Sequence, residues 1–70
     1  AFTISPDGTR IAAAGENGVL SVYDIRNNYA MKEAFRNTGN VPLTAIAYAS
    51  DNRRMVVGDQ KGLIRIIWEN

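Results

Sequence analysis

The chain has 70 residues, 46% of them hydrophobic, with eight Lys and Arg against seven Asp and Glu for a net charge of +1. A domain this small buries only about 60% of its unfolded surface, so its core is marginal. The absence of both Cys and His removes disulfides, thiolate nucleophiles, the commonest zinc ligands and the usual general base.

Short runs of strand-forming residues separated by turn chemistry predict strands at 1–5, 10–15, 19–25, 30–36, 43–49, 54–58 and 63–69. Pro6-Asp7-Gly8 is the first reverse turn, since Pro presets φ and Asp and Gly tolerate turn conformations. Glu16-Asn17-Gly18 carries the Asn-Gly pair of a tight hairpin. Asn27-Asn28-Tyr29 and the segment from Asn37 through Pro42 are expected loops, the second long enough to project from the sheet. Ser50-Asp51-Asn52 is a further turn, and Gln60-Lys61-Gly62 keeps the glycine of a second hairpin.

Displacing the chain by 44 places lays 1–10 on 45–54, with Asp7 on Asp51 and Arg10 on Arg54. The register continues, with Ile11-Ala12-Ala13-Ala14 on Met55-Val56-Val57-Gly58, Gly18 on Gly62, and Val19-Leu20-Ser21-Val22 on Leu63-Ile64-Arg65-Ile66. An internal repeat of this length signals a repeat architecture. The same spacing assigns 30–36 to a strand, although Ala, Met, Lys and Glu favour helix, because seven uncapped residues make a poor helix. Several strands carry apolar residues on both faces, as in Met55-Val56-Val57 and in Leu63-Ile64 with Ile66-Ile67. Each sheet is therefore expected to lie between two others, which a chain of this size cannot supply alone.

The stretch from Phe2 to Asp24, with its Ser-Pro-Asp-Gly turn, its Asn-Gly hairpin and its terminal Tyr23-Asp24, closely resembles the core of a WD40 repeat. A looser second copy at 45–69 ends in Trp68-Glu69, its aromatic one residue late relative to Gly62, as an inserted residue or bulge would make it. The resemblance implies an all-β WD40-type β-propeller fragment of two adjacent antiparallel blades, the second lacking its last strand. The first blade would span 1–37 and the second 38–70. The chain starts at Ala1 and not at Met, as an excerpt from a longer propeller would. Family repeats often contain a hydrogen-bonded tetrad of Trp, Ser or Thr, His and Asp. Here Ala13, Ala14, Val57 and Gly58 stand on the second strands, Asn17 and Lys61 at the hairpin Asp position and Gly39-Asn40 for Gly-His. The tetrad cannot form, and apolar packing with turn chemistry is expected to hold the blades without a polar clamp.

Asp7, Asp24, Asp51 and Asp59 are too scattered for an oxygen-ligand metal loop. Asp7 and Asp51 suit turns by their equivalent places, as do Gly8, Gly18 and Gly62, and Asp24 suits a strand end. No glycine pattern matches a phosphate loop. No catalytic residue, metal or cofactor is expected. Tyr23 and Trp68 are expected to be blade aromatics that pack in or between blades. The resemblance implies a non-enzymatic scaffold that presents loops to other protein subunits in a complex, with Glu16, Asn17, Arg36, Asn37, Asn40, Gln60 and Lys61 sharing one face. The uncovered blade faces would meet the remaining blades of the parent propeller or a second copy of the chain. The alternative is an RNA or ribonucleoprotein platform on Arg53, Arg54 and neighbouring basic residues. A net charge near zero gives no general attraction to nucleic acid. Apolar runs of about four residues fall far short of the length that spans a bilayer. An intracellular setting, cytoplasmic or nuclear, is expected from the absence of cysteine and of Asn-x-Ser/Thr sites.

Overall fold

A computed structural model describes residues 1–68. The described chain is all-β, with strands β1 (Phe2–Ile4), β2 (Arg10–Ala14), β3 (Val19–Asp24), β4 (Ala30–Arg36), β5 (Leu43–Tyr48), β6 (Arg54–Asp59) and β7 (Ile64–Trp68). They form two antiparallel meanders, a four-stranded sheet in the order β1-β2-β3-β4 and a three-stranded sheet in the order β5-β6-β7. Every predicted strand is present, including the helix-prone 30–36, which pairs along β3. The expected end of the last strand at Glu69 lies outside the described residues.

The two sheets repeat each other bond for bond at their turns. The Gly8 amide donates to the Ser5 carbonyl at 2.9 Å, and its counterpart Asn52 donates to Ala49 at 3.2 Å. Ser5 closes on Arg10, and Ala49 on Arg54, each at 2.8 Å. The residue that ends each of these turns is left-handed, Gly8 at φ 74° and Asn52 at φ 62°. Glycine and asparagine adopt that conformation most readily. At the hairpins, Gly15 donates to Val19 and Asp59 to Leu63, both at 3.0 Å.

Strand register divides each sheet into two faces. In the first sheet the rows Thr3-Ala12-Val22-Lys32 and Ala14-Leu20-Phe35 point one way, and Ile4-Ile11-Tyr23-Met31 and Phe2-Ala13-Ser21-Glu33 point the other. In the second sheet Ile46-Val57-Arg65 and Tyr48-Met55-Ile67 share a face, opposite Ala45-Gly58-Ile64 and Ala47-Val56-Ile66. The core is one cluster of Ala12, Ala14, Leu20, Val22, Leu43, Met55 and Val57 between the sheets, with Phe35, Ile46, Tyr48 and Ile67 packed against it. Strand β5 is the part of the second sheet that lies against β1 and β2. Small residues in β2 allow this close approach. The other face of each sheet is open, so Phe2, Ile4, Met31, Val56, Ile64 and Ile66 are exposed.

Trp68 departs from the expectation. The β6–β7 pairing runs without a bulge, and Trp68 stands opposite Arg54 as Asp24 stands opposite Arg10. Ile67 therefore takes the place equivalent to Tyr23 and packs against the core. One residue along a strand reverses the side-chain direction. Trp68 consequently faces outward, 65% exposed, with the Arg54 guanidinium 5.3 Å from its ring centre. The shifts in register lie elsewhere, at Leu20/Ser21 in β3–β4 and at Leu43/Ala45 in β5–β6.

Candidate interaction face

One end of the molecule gathers the two hairpin turns and the connector from β4 to β5. The connector does not project. Its first residue, Asn37, donates its amide to the Gly18 carbonyl at 2.8 Å, and at its far end Leu43 donates to Gly15 at 3.1 Å. From the second sheet, Gln60 donates to the Pro42 carbonyl at 3.0 Å. Between these points a 3-10 turn at Thr38–Asn40 is shaped by left-handed Gly39 (φ 72°) and Asn40 (φ 57°).

Beneath this connector lies a polar latch that joins the sheets. The Asn37 side-chain amide donates to Asp59 Oδ2 at 3.1 Å and to the Val41 carbonyl at 3.3 Å. The other Asp59 oxygen accepts the Lys61 amide at 2.9 Å and the Leu63 amide at 3.1 Å, which stiffens the second hairpin. Arg65 Nη1 stands 3.6 Å from Asp59 Oδ2, and its guanidinium lies 5.4 Å from the centre of the Phe35 ring on β4. Asn37 and Asp59 are both buried, so each needs the other as a partner. The Asn37 hydrogen bond holds the Asp59 carboxyl below its ordinary range against the opposing effect of burial, helped by the Leu63 and Lys61 amides and by Arg65.

This arrangement corrects two expectations. Asn37 is a buried latch residue and not part of an exposed binding face. The sheets are also joined by side-chain polar contacts, through Asn37 and Asp59, although no tetrad of the expected kind is involved. Asp59, three residues before Gly62, takes the amides of the second hairpin, as Asn17 takes the Val19 amide in the first. The Asp-x-x-Gly spacing was the available signal, because an Asp at a turn start commonly accepts amides further along. Asn37 carried no such local signal, since its partner is 22 residues away.

Glu16, Asn17, Arg36, Asn40, Gln60 and Lys61 are exposed at or beside these loops. Asn17 accepts the Val19 amide at 3.2 Å through its side chain. Arg36 forms a two-pronged pair with Glu33, at 2.6 and 3.1 Å. That pair lowers the Glu33 pKa and raises the Arg36 pKa. The surface is polar, of mixed charge, and mounted on fixed backbone.

The opposite end carries the first turn of each sheet. Asp7 accepts from the Ser5 hydroxyl at 2.7 Å, the Thr9 hydroxyl at 2.7 Å and the Thr9 amide at 3.0 Å. These bonds, the Ser5 one foremost, hold its pKa at about 2. Asp51 accepts the Arg53 amide at 3.0 Å and Arg54 Nε at 2.7 Å, and it too is held at about 2. The turns touch each other. Asn52 accepts the Asp7 amide through its side chain at 2.8 Å, and its carbonyl accepts Arg10 Nη2 at 3.0 Å. Asp24 caps the 3-10 turn Ile25–Asn27 by accepting the Arg26 amide at 3.0 Å, the strand-end place expected of it. Arg54 is thus engaged by Asp51 and Trp68, and Arg65 by Asp59 and Phe35.

Among the described residues no group of three or more acidic side chains is positioned to hold a metal ion, and no helix is long and apolar enough to cross a membrane. No protein-family model, curated protein or solved structure matches the chain.

Proposed function

We propose that the chain is a pair of neighbouring blades of a WD40-like propeller, acting as a non-enzymatic scaffold that presents the connector and hairpin face to other protein subunits. The observation that carries this reading is the turn-by-turn equivalence of the two sheets. Residues 44 positions apart make the same backbone hydrogen bonds and adopt the same left-handed angles. Repetition of one sheet unit, with each sheet apolar on both sides, is the condition of a propeller. Fold alone does not give function. The scaffold role is supported by the character of the connector end, where latched loops carry Glu16, Arg36, Asn40 and Lys61 on a surface that loses little freedom on binding.

The test is co-purification of protein subunits with the full chain carrying Glu16→Lys, Arg36→Glu and Lys61→Glu together. Loss of a protein partner, with retained fold and a shallow salt response, is the expected result. Undiminished partner binding would count against this face. Loss on Arg53→Glu with Arg54→Glu instead, together with a steep fall of binding in salt, would replace the scaffold by an RNA platform.

A further inference from the structure

Two apolar faces remain open, and the repeat makes them mates. Displacement by 44 places carries the buried row Thr3-Ala12-Val22 of the first sheet onto Ala47-Val56-Ile66, an open row of the second. In the other sense, the core-facing row Tyr48-Met55-Ile67 of the second sheet corresponds to the open row Ile4-Ile11-Tyr23 of the first. The open faces are therefore related to each other as the two faces already packed within the chain are. We propose that the outer face of the second sheet docks, head to tail, on the outer face of the first sheet of a second copy of this chain. This inference rests on the repeat reading given under Proposed function.

Shape favours this pairing over like on like. The open face of the second sheet is shallow where Ala45, Ala47 and Gly58 lie, and the open face of the first is filled by Phe2, Ile4, Ile11 and Tyr23. The internal interface has the same division, with Ala12 and Ala14 of the first sheet clustered with Met55 and Val57 of the second. Two first-sheet faces brought together would set bulk against bulk.

The turns offer a matching polar contact. Within the chain Arg10 Nη2 reaches the Asn52 carbonyl at 3.0 Å. The equivalents of that pair are Arg54 and Gly8, and Gly8 has the same left-handed backbone as Asn52, φ 74° against 62°. In the proposed contact Arg54 of one copy would reach the Gly8 carbonyl of the next. A head-to-tail contact leaves one face open at each end, so it propagates until it closes. Closed rings of about two to four copies would reach the about four to eight sheets typical of propellers.

Two variants test this, Ile4→Glu on the outer face of the first sheet and Ile66→Glu on that of the second. Both side chains are exposed within one chain, 52% and 60%, so each variant should keep its fold. Sedimentation velocity on the full chain is expected to give a mass at least twice that of one chain, rising with concentration. Each variant alone should be monomeric, and an equimolar mixture should give a 1:1 dimer, because Ile4→Glu leaves a free second-sheet face and Ile66→Glu a free first-sheet face. A chain that stays monomeric at all concentrations overturns the inference. So does either variant that dimerises with itself, or a mixture that stays monomeric. Nuclear Overhauser effects between buried side chains of the two sheets separate the failures. If they persist in a variant mixture that nevertheless stays monomeric, docking fails and the repeat reading stands; if they are missing from every sample, both fall.

Discussion

The two hairpins at the connector end share their turn hydrogen bonds and glycine conformation and are unlike in what surrounds them. Gly18 and Gly62 have φ of 83° and 85°, and each donates to the residue three places earlier, at 3.2 and 3.0 Å. A Cβ added at Gly18 would lie 2.8 Å from the Val41 carbonyl oxygen and 3.1 Å from the Asn37 Cβ, whereas one at Gly62 would meet nothing within 4 Å. The connector to the second sheet roofs Gly18 of the first hairpin, whereas in the second hairpin it touches Asp59 and Gln60 and leaves Gly62 uncovered among the described residues. Turn chemistry therefore sets the shape of a hairpin, and its place in the repeat sets how much stability depends on it.

The comparison is broken most directly at Gly18. Gly18→Val combines a positive φ with displacement of the connector, and should cost about 3 kcal/mol or more in urea unfolding. Asn37→Ala comes next. It leaves the Asp59 carboxylate without its side-chain donor and the connector without its anchor, for an expected loss of about 1–3 kcal/mol by the same measurement. Gly62→Val should cost only the backbone strain, about 1–2 kcal/mol. Equal losses at Gly18 and Gly62 would show that the connector does not roof the first hairpin.

A smaller effect comes from the opposite end, where the two turns are alike. Asp7 and Asp51 are held at about 2 against an ordinary 3.8. A carboxylate whose folded pKa is depressed contributes stability that is complete above its unfolded value and disappears as pH falls toward the folded one. Thermal midpoints should therefore decline as pH falls from about 4 to about 2, and Asp51→Asn should remove part of that decline. A midpoint flat over this window would contradict the turn bonding.

Much of the fold was legible because it is written locally. Short strand-forming runs, Pro-Asp-Gly and Asn-Gly mark the strands and turns, and the repeat makes a strand of the helix-prone 30–36. Aligning the aromatic by type, with an extra residue to restore the match, hides the orientation of Trp68. Unbroken pairing of Arg54 with Trp68 instead turns that side chain outward. Nothing near Asn37 in the sequence shows that Asp59 waits beneath it. Long-range polar pairing is decided by how two sheets meet, and the local pattern is silent on that.

The Asn37–Asp59 latch ties the connector of the first sheet to the hairpin of the second. The direct measurement is a pH titration of the full chain by NMR, following the Asn37 side-chain amide and the Asp59 carboxyl together. Both signals should move with one shared midpoint, below the ordinary 3.8 of an aspartate. An Asp59 carboxyl that titrates at its ordinary value, with an Asn37 amide that does not respond to it, would contradict the latch.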